Sequence, residues 1–111
     1  MKLIVTIPAY NEEESIAEVI KSIPRQIDGL DTVEVLVVSD GSVDKTMERA
    51  TEAGADYVLE NYRNIGLAQT FQRMMEEAYA RGADIVVNTD ADNQYDQSEI
   101  PQLIKPILDK Q

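Results

Sequence analysis

The chain has 111 residues, with 21 acidic against 10 basic side chains, no cysteine, no histidine and a net charge of −11. Without Cys or His, disulfide frameworks, thiolate metal sites, imidazole bases and zinc–histidine centres are excluded. Any chemistry must rest on carboxylates, hydroxyls, amides, Lys, Arg or a bound metal, and the acidity argues against a nucleic-acid backbone as partner.

A hydrophobic fraction of 43% suits one small domain with its own core. No apolar run approaches the roughly 20 residues needed to span a bilayer. Met1 to Val5 enters a strand pattern directly and then meets Pro8, unlike a signal peptide. A cytoplasmic chain is the expectation.

Leu3 to Ile7 is a β-branched run that reads as a first strand closed by Pro8. Asn11, with Glu14 three residues on, reads as the cap of a helix whose apolar stripe is Ile16, Val19, Ile20 and Ile23. Val33 to Val38 is a second strand, apolar almost throughout, as expected where helices cover both faces. Ser39-Asp40-Gly41-Ser42 is a turn, with Ser42 placed to cap a helix carrying Val43, Met47 and Ala50. Asp56 to Leu59 is a short third strand. Gly66 opens a long helix with Leu67, Phe71, Met74, Met75 and Ala78 as its inner stripe, the methionines read as core filling. Ala83 to Asn88 is a fourth strand. Ser98 caps a last helix with Pro101 in its first turn and a kink expected at Pro106.

Four strands each followed by a helix predict an α/β fold, a Rossmann-like parallel sheet flanked by helices. Ligands in such sheets sit at the C-terminal strand ends. Pro8 to Glu12 follows strand one, Asp40 to Ser42 strand two, and Asp90-Ala91-Asp92 strand four, so all three polar segments share one edge. In an extended backbone Asp90 and Asp92 point the same way, and two carboxylates there suit Mg2+ or Mn2+. The plainer reading of that stretch is a turn-forming loop after a core strand.

Ile7-Pro8-Ala9-Tyr10-Asn11-Glu12, Val37 to Thr46, Asn64-Ile65-Gly66-Leu67-Ala68 and Asn88 to Asp92 together resemble, in order and spacing, glycosyltransferase family 2 with the GT-A fold. The resemblance covers nearly the whole chain and looks closest to enzymes that charge polyprenyl phosphates, such as dolichol-phosphate mannose or glucose synthases. It implies that residues 1–111 are the nucleotide-sugar-binding half of a truncated GT-A fold, with the acceptor half absent. The implied donor is a UDP- or GDP-hexose and the implied acceptor, reached through the missing half, is a polyprenyl phosphate. The parent enzyme would then work at the cytoplasmic face of a membrane, while this half alone would show little or no turnover. The alternative is a non-catalytic fragment that binds nucleotide and metal.

By the same resemblance Pro8, Tyr10, Glu12, Val38 and Asp40 line the base and ribose pocket. Asp90 and Asp92 match the family's D-x-D and are the implied catalytic and metal-holding pair, with Ala91 and Gln94 completing the nucleotide-sugar site. Many members carry a further Asp where this chain has Ser39. Read from the residues alone, Tyr10 either stacks on a base or rests on the first helix, and Glu12 either accepts ribose hydroxyls or favours the helix dipole. Ser42 and Thr46 read as cap and helix surface, Asn64 and Gly66 as a phosphate-side loop or a plain helix start, and Arg63 as solvated. An orphaned half leaves apolar surface uncovered, so self-association is expected. Nucleotidyltransferases and dinucleotide oxidoreductases are disfavoured because no Gly-rich loop follows the first strand. A response regulator is disfavoured because Pro8 to Asn11 lacks paired acids.

Overall fold

Four largely apolar runs, the two central ones buried on both faces, build the sheet in this computed structural model, which describes residues 1–92 and 96–110. The order is β1 (Lys2–Ala9), α1 (Ile16–Ser22), β2 (Thr32–Ser39), α2 (Thr46–Glu52), β3 (Tyr57–Glu60), α3 (Leu67–Ala80) and β4 (Ile85–Asn88). A 3-10 turn (Gln97–Glu99) and α4 (Ile100–Asp109) follow. All strands are parallel in the order β3-β2-β1-β4, so the direction of winding reverses between β1 and β4. The fold is the α/β, Rossmann-like parallel sheet expected from the sequence.

Strand parity decides which helix each residue meets. Leu3, Val5, Ile7 and Ala9 of β1 join Val33, Val35, Val37 and Ile85 on one face, packed with Ile16, Val19 and Ile20 of α1, Ala50 of α2, and Ile100 and Ile104 of α4. Ile4, Leu36, Val38 and Val86 point the other way, where α3 supplies Met74 and Ala78. Three helices cover one face and one helix covers the other. No helix among the described residues is long and apolar enough to cross a membrane.

Several local expectations are corrected. Pro8 does not end β1, which runs on to Ala9 with Pro8 opposite Val38. Thr6 turns its carbonyl to β4, where it accepts from Thr89 N–H at 3.0 Å, and Pro8 shares that orientation. The ladder with β4 ends at Thr6 and Asn88, so the N–H that Pro8 lacks has no strand beside it. Asn11 is not a helix cap, because α1 starts later, after Ser15. Asn11 takes a left-handed φ of 52° instead, and its Oδ1 accepts from Val43 N–H at 2.9 Å. Nor does Ser42 cap α2, since its hydroxyl accepts from Asn11 N–H at 3.0 Å and from Ser39 Oγ at 2.6 Å.

The buried side of α2 is Thr46 and Ala50, while Val43 precedes the helix and stays exposed. The buried stripe of α3 is Thr70, Met74 and Ala78, with Leu67 and Phe71 left exposed. Asp96, rather than Ser98, caps the turn before α4, accepting from Ser98 N–H at 3.0 Å. The last helix continues through Pro106 to Asp109.

Candidate functional site

The parity that sends Ile4 and Val38 beneath α3 sends the residues beyond the strand ends to the same side. Pro8 shares the face of Ile4, Asp40 that of Val38, and Asp90 that of Val86. They border a cavity of about 300 Å³ at the C-terminal edge of the sheet, over the β1/β4 switch. From the segment after β1 come Pro8, Ala9, Tyr10 and Glu12; Asp40 follows β2 and Asp90 follows β4. The far wall is Asn64, Gly66, Leu67 and Thr70, at and before the start of α3. A larger cleft of about 620 Å³, bordered by Gln26, Gly29, Lys105 and Leu108, lies by the loop entering β2, at the opposite edge of the sheet.

Two loops are clasped to form the near wall. Glu12 N–H donates to Thr46 Oγ1 at 2.8 Å, Glu13 N–H to Asp44 Oδ2 at 3.3 Å, and Lys45 N–H to Glu13 Oε2 at 3.2 Å. Thr46 is therefore fully buried and structural, contrary to its reading as helix surface, and its hydroxyl also bonds Asp44. Burial pushes the Asp44 carboxyl up, but hydrogen bonds from the Thr46 hydroxyl and from the Thr46 and Glu13 N–H groups hold it below the ordinary 3.8.

Asp40 anchors the far wall. It is 7% exposed; Oδ1 accepts from Asn61 Nδ2 at 2.9 Å and Ile65 N–H at 2.8 Å, and Oδ2 from Gly66 N–H at 3.0 Å. Burial again pushes this carboxyl up, outweighed by donors from Ile65, Asn61, Gly66 and Thr70, so its pKa falls below 3.8. Gly41 next door has φ +73°, and a Cβ there would lie 2.7 Å from Asn64 N and 2.9 Å from the Arg63 carbonyl carbon. Only a glycine lets the 63–64 backbone approach so closely.

Of the residues singled out in the sequence, Pro8, Tyr10, Glu12, Asp40 and Asp90 meet at the cavity. Tyr10 borders the cavity and is 48% exposed. Val38 is not brought there; it is fully buried under α3 with Ile4, Leu36 and Met74. Ala91 lies in the core of the other face, and its carbonyl accepts from Ser15 Oγ at 2.6 Å. Asp92 is exposed but sits in a turn with Ala91, so the extended backbone that would align it with Asp90 is not present. Gln94 lies outside the described residues. Asn64 borders the cavity, and Arg63 is exposed.

Asn61, Thr70 and Arg73 were not legible as site residues. Arg73 Nη1 donates to Asn61 Oδ1 at 2.5 Å and to the Glu60 carbonyl at 3.0 Å, tying α3 to the end of β3. A polar Thr70 amid an apolar helical stripe was the one available signal.

No described cluster of three or more acids could hold a metal by itself. Mg2+ or Mn2+ bound with a diphosphate takes one or two carboxylates and completes its shell with phosphate oxygens and water. Asp90 borders the cavity and is of the carboxylate type such an ion takes, while Asp92 is an exposed carboxylate in the adjoining turn. Among the described residues lining the cavity none is Lys or Arg, so no side chain there offsets a polyanion's charge.

A parallel sheet with its crevice at the strand ends, over the reversal in strand order, defines the class as a Rossmann-like α/β domain. The sequence model of glycosyl transferase family 2 matches residues 4–111, and the chain belongs to that family. It is 37% identical over 110 residues to the dolichol-phosphate mannosyltransferase of Pyrococcus furiosus, covering 96% of this chain and 30% of that protein. It is 33% identical over 108 residues to the undecaprenyl-phosphate 4-deoxy-4-formamido-L-arabinose transferase of Sodalis glossinidius, covering 94% and 33%. The chain thus spans about a third of the length of these curated relatives. Among solved structures it is similar to glucosyl-3-phosphoglycerate synthase from Mycobacterium tuberculosis in complex with Mg2+ and UDP. The TM-score is 0.76 at 32% identity, over 96% of this chain and 39% of that one. A complex of that enzyme with Mn2+, UDP-glucose and phosphoglyceric acid gives 0.76 at 33%.

Proposed function

We propose that residues 1–111 are the donor half of a hexosyltransferase, binding a UDP- or GDP-hexose with a divalent metal at Asp90-Ala91-Asp92. The acceptor, a polyprenyl phosphate or a similar phosphorylated molecule, would be bound by sequence outside this chain. The observation that carries this reading is the convergence of Pro8–Glu12, Asp40, Asn64–Gly66 and Asp90 on one cavity at the strand ends.

In this reading Tyr10 offers its ring to the base, and Glu12 accepts hydrogen bonds from ribose hydroxyls or base N–H groups. Asp90 contacts the ribose or sugar and, with Asp92, holds Mg2+ or Mn2+. The ion, when bound, neutralises charge that builds on the departing nucleoside diphosphate. Pro8 and Leu67 keep the floor and rim of the cavity apolar. Gln94 is proposed to contribute beyond the D-x-D. Exposed Leu67, Phe71, Leu103 and Ile107 support self-association in the absence of a covering segment.

A second reading, a nucleotide- and metal-binding fragment without turnover, is favoured by the lack of Lys or Arg among the described lining residues. Calorimetric titration with UDP and GDP, each with and without Mn2+, tests both on this chain and on Asp92→Ala. Metal-dependent binding of one nucleotide, lost in the variant, is expected. A folded chain that binds neither would remove the donor-site reading.

A further inference from the structure

Asn61 follows β3 directly and is 2% exposed. Its amide is fully engaged: Nδ2 donates to Asp40 Oδ1 at 2.9 Å and to Thr70 Oγ1 at 2.9 Å, while Oδ1 accepts from Arg73 Nη1 at 2.5 Å. Its backbone N–H donates to the Ser39 carbonyl at 2.8 Å, fixing it to the end of β2. A carboxylate on one side and a guanidinium on the other admit one orientation of the amide, NH2 toward Asp40 and oxygen toward Arg73. A buried side chain with both ends charge-assisted is a rigid strut. The group it braces is the same carboxylate that holds Ile65 N–H and Gly66 N–H.

We propose that Asn61 is a positioning residue for the donor pocket: it orients Asp40 so that Asp40 fixes the Asn64–Leu67 wall against which the nucleotide packs. This rests on the nucleotide-binding reading above. Asp40 is held within the chain by donors from Asn61, Ile65, Gly66 and Thr70, and through Ile65 and Gly66 it fixes that wall.

The charged groups around Asp40 are Glu12 from the segment after β1, Glu60 at the end of β3, Arg73 on α3 and Asp90 after β4. Burial disfavours an ionised Asp40, and the hydrogen bonds it accepts, that from Asn61 among them, are what hold it ionised. Removing the Asn61 donor therefore makes Asp40 easier to protonate, and a protonated Asp40 grips the Ile65 and Gly66 N–H groups less firmly. A general softening of the fold would weaken ligand binding alike at all pH values. A lost strut to Asp40 weakens it more in acid.

The test is calorimetric titration of the unmodified chain, Asn61→Ala and Thr70→Val with UDP and GDP in Mn2+, at about pH 7.5 and about pH 5, with circular dichroism to check folding. Asn61→Ala is expected to weaken whichever nucleotide the unmodified chain binds by on the order of tenfold at the higher pH, the size of one hydrogen bond to a charged group. The ratio of variant to unmodified affinity is expected to worsen further at the lower pH. Thr70→Val, which keeps the shape and removes one partner of Asn61 together with a donor to Asp40, is expected to move both quantities the same way, and unmoved quantities there overturn the bracing of Asp40 if Asn61→Ala does not fold. Equal affinity, or a loss identical at the two pH values, overturns the positioning role. An unmodified chain that binds neither nucleotide overturns the pocket reading itself.

Discussion

Gly41→Ala is the substitution whose cost the structure specifies most closely. At φ +73° an alanine carries about 1–2 kcal/mol of backbone strain. Its Cβ would also stand 2.7 Å from Asn64 N and 2.9 Å from the Arg63 carbonyl carbon. Both atoms are backbone, so the 63–66 segment must move as a unit, loosening the Ile65 and Gly66 N–H bonds to Asp40. Adding even part of one such charge-assisted bond brings the total to about 3 kcal/mol. In a domain of this size that lowers Tm by roughly 10 °C. Gly54→Ala is the matched control, because Gly54 has φ +102° but nothing within 4 Å of its would-be Cβ. It should cost the backbone strain alone, roughly 5 °C. Thermal melting followed by circular dichroism reads both. If Gly41→Ala melts at or above Gly54→Ala, the wall is not packed on Gly41 and the reasoning fails.

Met74→Ala, at a fully buried site beneath the one helix covering its face, should cost about 2–5 kcal/mol in urea unfolding; a loss under about 1 kcal/mol would mean that α3 is not a tight cover. Asp40 and Asp44 both have carboxyl pKa values lowered by folding. Their contribution is therefore present above the unfolded value of 3.8 and is lost as pH falls through the folded values, so the urea midpoint should stay level down to about pH 5 and drop below about pH 4. The drop should shrink in Asp44→Asn, and an unchanged acid limb in that variant would count against the clasp between the two loops. Light scattering at rising concentration should show association that Phe71→Glu with Leu103→Glu reduces; a monomeric mass throughout would contradict the expected self-association.

The sheet was legible because the strands are short apolar runs, β-branched in β1, β2 and β4, set between polar loops, and the parallel order followed from strand–helix alternation. Parity then carried Pro8, Asp40 and Asp90 to one edge with no further information needed. The failures have a common physical origin. Asn11, Ser42 and Ser98 carry short polar side chains that bond nearby backbone in many geometries, and tertiary partners chose loop-to-loop or capped-turn contacts over helix caps. In α3 the stripe was right at Met74, Met75 and Ala78 and wrong in the first turns. Thr70 turns inward because Asn61 supplies a buried partner, which leaves Leu67 and Phe71 outside. Val38 sat one residue pair short of the edge, so its side chain went to the core while Asp40 reached the cavity. Asn61, just past β3, joins the end of β2 to α3, and nothing local in the sequence marks such a hub.

The proposed donor site puts a metal–nucleotide complex at the strand ends over the β1/β4 switch. Mn2+ is paramagnetic, so amide spectra of the labelled chain with UDP or GDP, with and without a trace of Mn2+, locate it directly. Broadening of Tyr10, Glu12, Gly66 and Asp90, dependent on the nucleotide and absent at Lys2, Thr32 and Asp84 on the opposite edge, is the predicted result. Broadening that ignores the nucleotide, or that centres on the opposite edge, would rule out a donor site at the strand ends.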